Sequence, residues 1–155
     1  MQPVEYVERL TVPLRWWVQG TMLVASVWLA TIVALPPVVS WTITAIALAL
    51  MTALLVGYGS AAIRVDHGQL TAGRARIGAE HLGEAVPLDV DAARRLAGPE
   101  ADARAFLLLR PYLKRAVRVE ITDPADPAPY WLLCTRRPDD LAAALRAVTS
   151  DPTIG

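Results

Sequence analysis

Between Arg15 and Arg64 the sequence has no Asp, Glu, Lys, Arg or His. The gap runs from residue 16 to residue 63. As helix it would measure about 72 Å at ~1.5 Å per residue, more than twice a hydrocarbon thickness of about 30 Å. Such a stretch is excluded from an ordinary solvated surface and fits two membrane spans better than one. Cysteine is nearly missing too. Cys134 stands alone, so no intramolecular disulfide can form, which excludes a disulfide-stapled secreted fold and suits a reducing compartment. Net charge is also lacking: 15 basic and 15 acidic residues balance to +0. Neither half of the chain has the excess of positive charge that draws nucleic acid, so a nucleic-acid partner is disfavoured. Lys114 is the sole lysine, a bias we assign to coding preference rather than mechanism.

What is there is an apolar fraction of 54%, concentrated near the start. The sequence predicts an N-terminal segment over 1–15, transmembrane helices over 16–35 and 38–58, and a short extracytoplasmic reversal at Pro36-Pro37, where two prolines cannot continue a hydrogen-bonded helix. Trp16 and Trp17 beside Arg15, and Trp41 near the other face, suit the headgroup level. Arg9 and Arg15 precede the first span and Arg64, Arg74 and Arg76 follow the second. The expected topology is therefore multi-pass in the inner (plasma) membrane with both termini cytoplasmic. A cleaved signal peptide is disfavoured, because the first apolar run is too long and a second follows at once. Ser26, Ala30 and Ala34 in the first span, and Ala45, Ala49, Ala53 and Gly57 in the second, fall four apart and form ridges of small side chains. Such ridges either zip the two helices together or join two copies in a homo-oligomer.

After Arg64 the pattern changes, and a cytoplasmic domain is expected over 62–149 with a tail at 150–155. "AIRVDHGQLTAG" (62–73) reads as two β-runs around a His67-Gly68 turn. "EAVPLDV" (84–90) and "ARAFLLLRP" (103–111) are further strand candidates, and "DAARRLAG" (91–98) a short helix. In "AVRVEIT" (116–122), Val117, Val119 and Ile121 alternate with polar residues, the period of a half-buried strand, and "YWLLCT" (130–135) should pair with it. The closing segment "PDDLAAALRAV" (138–148) has proline and aspartates at its start and an apolar stripe of Leu141, Ala144, Leu145 and Val148. The expected fold class is a membrane α-hairpin plus a cytoplasmic α+β domain. About six strands form an antiparallel meander or barrel closed by a C-terminal amphipathic helix, an order of elements found in pleckstrin-homology-like (PH-like) domains.

The run "ARAFLLLRPYLKRAVRVEITDPADPAPYWLLCTRRPDDLAAAL" (103–145) and the entrance "ERLTVPLRWW" (8–17) resemble an uncharacterised family of actinobacterial membrane proteins classed as a domain of unknown function. The resemblance covers nearly the whole chain. It implies two N-terminal spans and a cytoplasmic domain, and it brings no activity and no catalytic residues. More distantly, the layout is similar to that of bacterial membrane proteins with a PH-like domain, which implies an interaction module.

Catalytic, cofactor and metal readings each fail on spacing, so none is expected. Cys134 followed by Thr135-Arg136-Arg137 suggests a phosphatase loop, but position 140, where the arginine is needed, is Asp. Asp123 and Asp126 lack the further oxygen donors and glycine turn of a Ca²⁺ loop; each precedes proline, which favours turn formation. His67 and His81 have no partners at zinc spacing. Gly57-x-Gly59-x-x-Ala62 is a weak dinucleotide echo that follows a span instead of a strand. The remaining candidate surface is the basic and aromatic group Arg110, Tyr112, Lys114, Arg115, Arg118, Tyr130, Trp131, Arg136 and Arg137, in which Tyr112, Tyr130 and Trp131 are either contact or core aromatics. Interleaved Glu120, Asp123, Asp126, Asp139 and Asp140 argue for its neutralisation. The expected function is a non-catalytic, membrane-anchored module that binds a membrane-associated protein or anionic lipid at the inner leaflet. The alternatives are an accessory subunit assembling through its spans, and an enzyme using the 110–137 region.

Overall fold

The structure is a computed structural model and describes residues 6–150. The chain divides into two compact units. One is the chain up to Leu10 together with everything from Ala61 onward, and the other is Thr11–Ser60. The first five residues and the expected tail beyond Ser150 lie outside the described residues.

The second unit is a helical hairpin. Helix α1 spans Leu14–Ala34 and α2 spans Pro37–Gly59, each long and apolar enough to cross a membrane. Leu35 is extended, and Pro37 opens α2 at a position where its missing N–H costs nothing. α1 has no buried residue and α2 has only Ser40. Where the two helices meet, the Thr31 and Ser40 hydroxyls are 2.8 Å apart and the Trp28 and Trp41 rings lie 5.7 Å apart. Gly20 faces Met51 so closely that a Cβ there would fall 2.5 Å from its sulfur. The other hydroxyls bond back along their own helix, Thr21 to Trp17 O, Ser26 to Met22 O and Thr42 to Val38 O, which satisfies them without a partner.

The first unit is an α+β domain with two open four-stranded sheets. In the first sheet the order is β1 (Tyr6–Arg9), β2 (Ala62–Asp66), β3 (Gln69–Ala72), β4 (Ala75–Gly78), all antiparallel. His67 (φ 45°) and Gly68 (φ 73°) make the β2–β3 turn, two left-handed residues as the twist of a two-residue hairpin requires. A single 3₁₀ turn, Ala79–His81, leads into the second sheet. That sheet contains β5 (Leu82–Leu88), β6 (Phe106–Leu108), β7 (Ala116–Ile121) and β8 (Tyr130–Cys134) in the order β5-β7-β8-β6. Helix α3 (Val90–Ala97) follows β5, and its cap Asp89 accepts from Ala92 N at 2.8 Å.

One core joins both sheets. The inner residues Ile63, Val65 and Leu70 of the first meet Val117, Val119, Trp131 and Leu133 of the second, and α4 (Pro138–Ser150) adds Leu141, Ala144, Leu145 and Val148, the stripe expected from sequence. A smaller cluster of Ala93, Ala116, Tyr130 and Leu132 forms on the opposite face of the second sheet, beside α3.

Two departures from the sequence reading stand out. The meander holds only through β4, because β6 returns to pair in parallel with β8 and the domain forms two sheets instead of one continuous barrel. The segment before the first apolar helix, expected to be separate, supplies β1. Tyr6↔Val65, Val7↔Arg64, Glu8↔Ile63 and Arg9↔Ala62 pair in register, and the hairpin is thus inserted between two neighbouring strands.

Candidate functional site

The end of the domain from which the hairpin leaves is marked by Leu10 and Ala61, bonded N to O at 3.0 Å. Several distant parts of the chain converge there. The Tyr112 phenol donates to Leu10 O at 2.6 Å, and the Arg136 guanidinium donates to Arg9 O at 3.2 Å. Thr135 N donates to Arg115 O at 3.1 Å, which holds the 109–115 loop beside the turn that precedes α4. Gly73 N donates to Ala62 O at 3.0 Å, and the β3–β4 turn that carries Arg74 therefore reaches the same end.

The nine residues expected as one surface are divided by the fold. Tyr112, Lys114, Arg115 and Arg136 lie at this exit end. Arg110 is half-buried beside them and donates to Leu109 O at 2.9 Å. Arg137 is set over the Tyr6 ring, its guanidinium carbon 5.2 Å from the centroid. Arg118 is on the α3 side of the second sheet, 4.9 Å from the Tyr130 ring. Tyr130 and Trp131 are only 6% and 4% exposed and, as neighbours in one strand, point to opposite faces. Trp131 packs on Phe106 at 4.9 Å between ring centres. Both aromatics are core residues.

Beside the exit end is a buried carboxylate that sequence reading passed over. Glu8 points inward from β1 and is 5% exposed. It accepts from the Tyr6 phenol at 2.8 Å, from the Thr135 hydroxyl and from Arg136 N at 2.9 Å. Thr135 Oγ1 in turn accepts from Arg137 N at 3.1 Å. A buried charge is tolerated only with such a complement of donors, and this one fastens the first strand to the turn before the last helix. The signal in the sequence was slight: inward Tyr6, Glu8 and Leu10 alternate with outward Val7 and Arg9, but a glutamate at an inward position disguises the period.

Burial pushes the Tyr6 phenol up to about 12 from its ordinary 10.0; the Thr135 hydrogen bond opposes this and Glu8 adds to it. A group whose folded pKa is raised contributes stability that is complete below pH 10 and is lost as pH rises toward 12. The full chain in detergent should therefore lose thermal stability across that interval, and Tyr6→Phe should flatten the part of the fall that other tyrosines do not supply. Equal slopes for the two proteins would refute this assignment.

The remaining candidates are placed plainly. Cys134 is buried in β8, and burial raises its thiol pKa, against a smaller opposing effect of Arg110; a thiol so placed is a poor nucleophile. Asp123 and Asp126 each accept from the backbone N–H two residues on, Ala125 N at 2.8 Å and Ala128 N at 2.9 Å, which is turn chemistry. His67 and His81 sit beside Asp66 and Glu80 at 3.7 and 3.6 Å. Among the described residues no group of three or more His, Cys, Asp or Glu is placed to hold a metal ion. The small-residue ridges do not form the seam of the hairpin: Ser26, Ala30, Ala34, Ala45, Ala49, Ala53 and Gly57 are all exposed. On α2 the seam carries Ser40, Ala47, Met51 and Leu55, nearly opposite the alanine ridge at 100° per residue.

The family model described as a protein of unknown function, DUF3093, matches residues 5–145. The chain belongs to this family. The match takes in both apolar helices and, among the described residues, all eight strands, so the insertion of the hairpin between β1 and β2 falls inside the family's extent. Comparison with curated proteins and with solved structures finds no match. Family membership therefore brings no substrate, ligand or catalytic residue to the chain.

Proposed function

We propose that the protein is a non-catalytic interaction module held at the inner leaflet by its apolar hairpin, with a PH-like domain that engages a membrane-associated protein or anionic lipid. The observation that carries this reading is the insertion of the hairpin between two hydrogen-bonded strands. β1 and β2 are neighbours in one sheet, which supports a topology with both ends of the hairpin on one side of a bilayer and two crossings. The large apolar side chains of α1 and α2 stand exposed along both helices, Leu23 at 67%, Val33 at 84% and Leu54 at 66% among them. A helix buried in a soluble core would cover such residues, and lipid is the solvent in which their exposure costs nothing. Two positive flanks, Arg9 with Arg15 and Arg64 with Arg74, favour the cytoplasmic side. Two sheets enclosing one core that a C-terminal helix closes support the PH-like reading, by analogy of architecture alone.

A second reading has its own observation. The ridge Ala45, Ala49, Ala53 and Gly57 faces away from α1, and small residues on an open helix face let another span approach closely. In this reading the protein is an accessory subunit that assembles through its helices.

One experiment separates the two. The full chain, solubilised in mild detergent and affinity-purified, is expected to resist carbonate extraction beforehand and to retain the same bound protein or lipid in wild type and in the Ala49→Leu/Ala53→Leu variant. Loss of the companion in that variant alone would favour assembly through the helices. Release of the chain by carbonate would overturn both.

A further inference from the structure

We propose that the hairpin-exit end of the domain is a binding face for anionic phospholipid headgroups, built from Arg9, Arg74, Lys114, Arg115 and Arg136. The inference rests on the membrane-anchored reading above and names the ligand and the surface within it. These five cations come from β1, the β3–β4 turn, the 109–115 loop and the turn before α4, yet the hydrogen bonds from Gly73, Tyr112, Thr135 and Arg136 gather them at one end. All five are exposed. Among the described residues, Arg9, Arg74, Lys114 and Arg115 have no carboxylate within 4.0 Å.

In the sequence the acids interleave with these cations and suggest neutralisation. The fold separates them. Lys114 and Arg115 precede β7, whereas Asp123 and Asp126 follow it, and the six residues of Ala116–Ile121 span about 20 Å at ~3.3 Å each. Thr122 N donates to His81 O at 2.8 Å and Ala79 N donates to Gly68 O at 2.7 Å, so the β7–β8 loop, Glu80 and the Asp66 turn all collect at the far end. That separation exceeds a Debye length of about 8 Å at physiological salt, and the far acids do little to screen the near cations. Asp139 and Asp140, which open α4 after Arg137, and Asp89, which caps α3, bound the basic region on the side of the second sheet. On the first sheet the register Val7↔Arg64, Arg64↔Thr71, Thr71↔Arg76 puts Arg64 and Arg76 on the same outward face as Arg9. The chain has no net charge, and its domain is nonetheless polarised.

The tether selects the ligand. Three residues, Thr11 to Pro13, join Leu10 to α1, and Ser60 and Ala61 join α2 to β2. Links of three and two residues keep the exit strands next in the chain to both apolar helices. Exposed cations kept so near an inner leaflet meet its negative surface potential. The opposite, acidic end has no such tether.

The test uses the full chain in nanodiscs of purely zwitterionic lipid and of zwitterionic lipid mixed with phosphatidylglycerol, read by backbone hydrogen exchange. The expected result is slower exchange at residues 72–75 and 109–116 in the anionic discs, by about fivefold or more given the attraction of each cation. Either 0.5 M salt, which shortens the Debye length to roughly 4 Å, or Arg74→Ser/Lys114→Ser/Arg115→Ser should abolish the difference. Inorganic phosphate added to zwitterionic discs should not reproduce it, and if it does, free anion and not the bilayer is the ligand and the proposal falls. Identical exchange in both lipids, with the chain still resistant to carbonate, overturns the lipid face while leaving the anchored module intact and its partner a protein. Release by carbonate overturns the module itself.

Discussion

A fragment beginning at Ala62 should not fold, although it contains seven of the eight strands and both helices of the domain. It lacks Tyr6 and Leu10, which are 7% and 0% exposed in the shared core, and their burial alone is worth about 4 kcal/mol together. It also leaves β2 without the partner to which four of its residues pair, and leaves the Thr135 hydroxyl and the Arg136 N–H without Glu8. Against a total stability of about 5–15 kcal/mol for an ordinary domain, these losses are decisive. The complementary experiment keeps residues 1–10 and replaces Thr11–Ser60 with a short turn. Leu10 N already bonds Ala61 O at 3.0 Å and Arg9 pairs with Ala62, so the two strand ends are as close as those of any tight hairpin. That protein should be soluble and show a cooperative melt by circular dichroism. A cooperative melt from the Ala62 fragment, or none from the shortened chain, would show that β1 is dispensable or that the domain needs the apolar helices.

Glu8→Ala should lower the stability of the full chain by about 3 kcal/mol or more, on the scale of hydrogen bonds to a buried charged group and of donors left unsatisfied. Three donors converge on that carboxylate, the Tyr6 phenol, the Thr135 hydroxyl and Arg136 N. After truncation the backbone N–H has no rotamer by which to find another acceptor. Glu8→Gln should cost clearly less, because its carbonyl oxygen still faces Arg136 N and the two hydroxyls can reverse to accept from its amide. Thermal unfolding in detergent, followed by the loss of β-sheet signal in circular dichroism, separates the two variants. If Ala and Gln were equally mild, the carboxylate would not be what fastens β1.

How much of this was legible in the sequence depends on which physical signal each element leaves. The uncharged gap announced two apolar helices, and β7 announced itself through Val117, Val119 and Ile121, because one side of that strand faces the core. The stripe on α4 was read correctly for the same reason. β1 was missed because its inward residues include a phenol and a carboxylate, so the hydrophobic period that marks a strand is broken by the very group that secures it. The parallel pairing of β6 with β8 was missed because three residues, Phe106–Leu108, are all apolar and have no alternation to fix a face or a direction. Proximity in sequence also misled the reading of the site. Tyr130 and Trp131 are adjacent in the chain but belong to different faces, and Lys114 and Asp123 look like neighbours until a strand is drawn between them.

The place of the hairpin fixes an order of events in the nascent chain. Tyr6–Arg9 leaves the ribosome before either apolar helix, while Thr135–Arg137, the turn that receives Glu8, emerges almost last. The first strand can pair with β2 once Ala62–Asp66 has emerged, but the Glu8 carboxylate must wait for Thr135 and Arg136 through the synthesis of nearly the entire protein. Its capture requires that the residues before α1 and after α2 have arrived in the same compartment. If the two helices cross a bilayer as proposed, closure of the domain acts as a check on insertion: a chain that has crossed an odd number of times separates Glu8 and Tyr6 from the Thr135 hydroxyl and Arg136 N, and leaves β2 with an open edge.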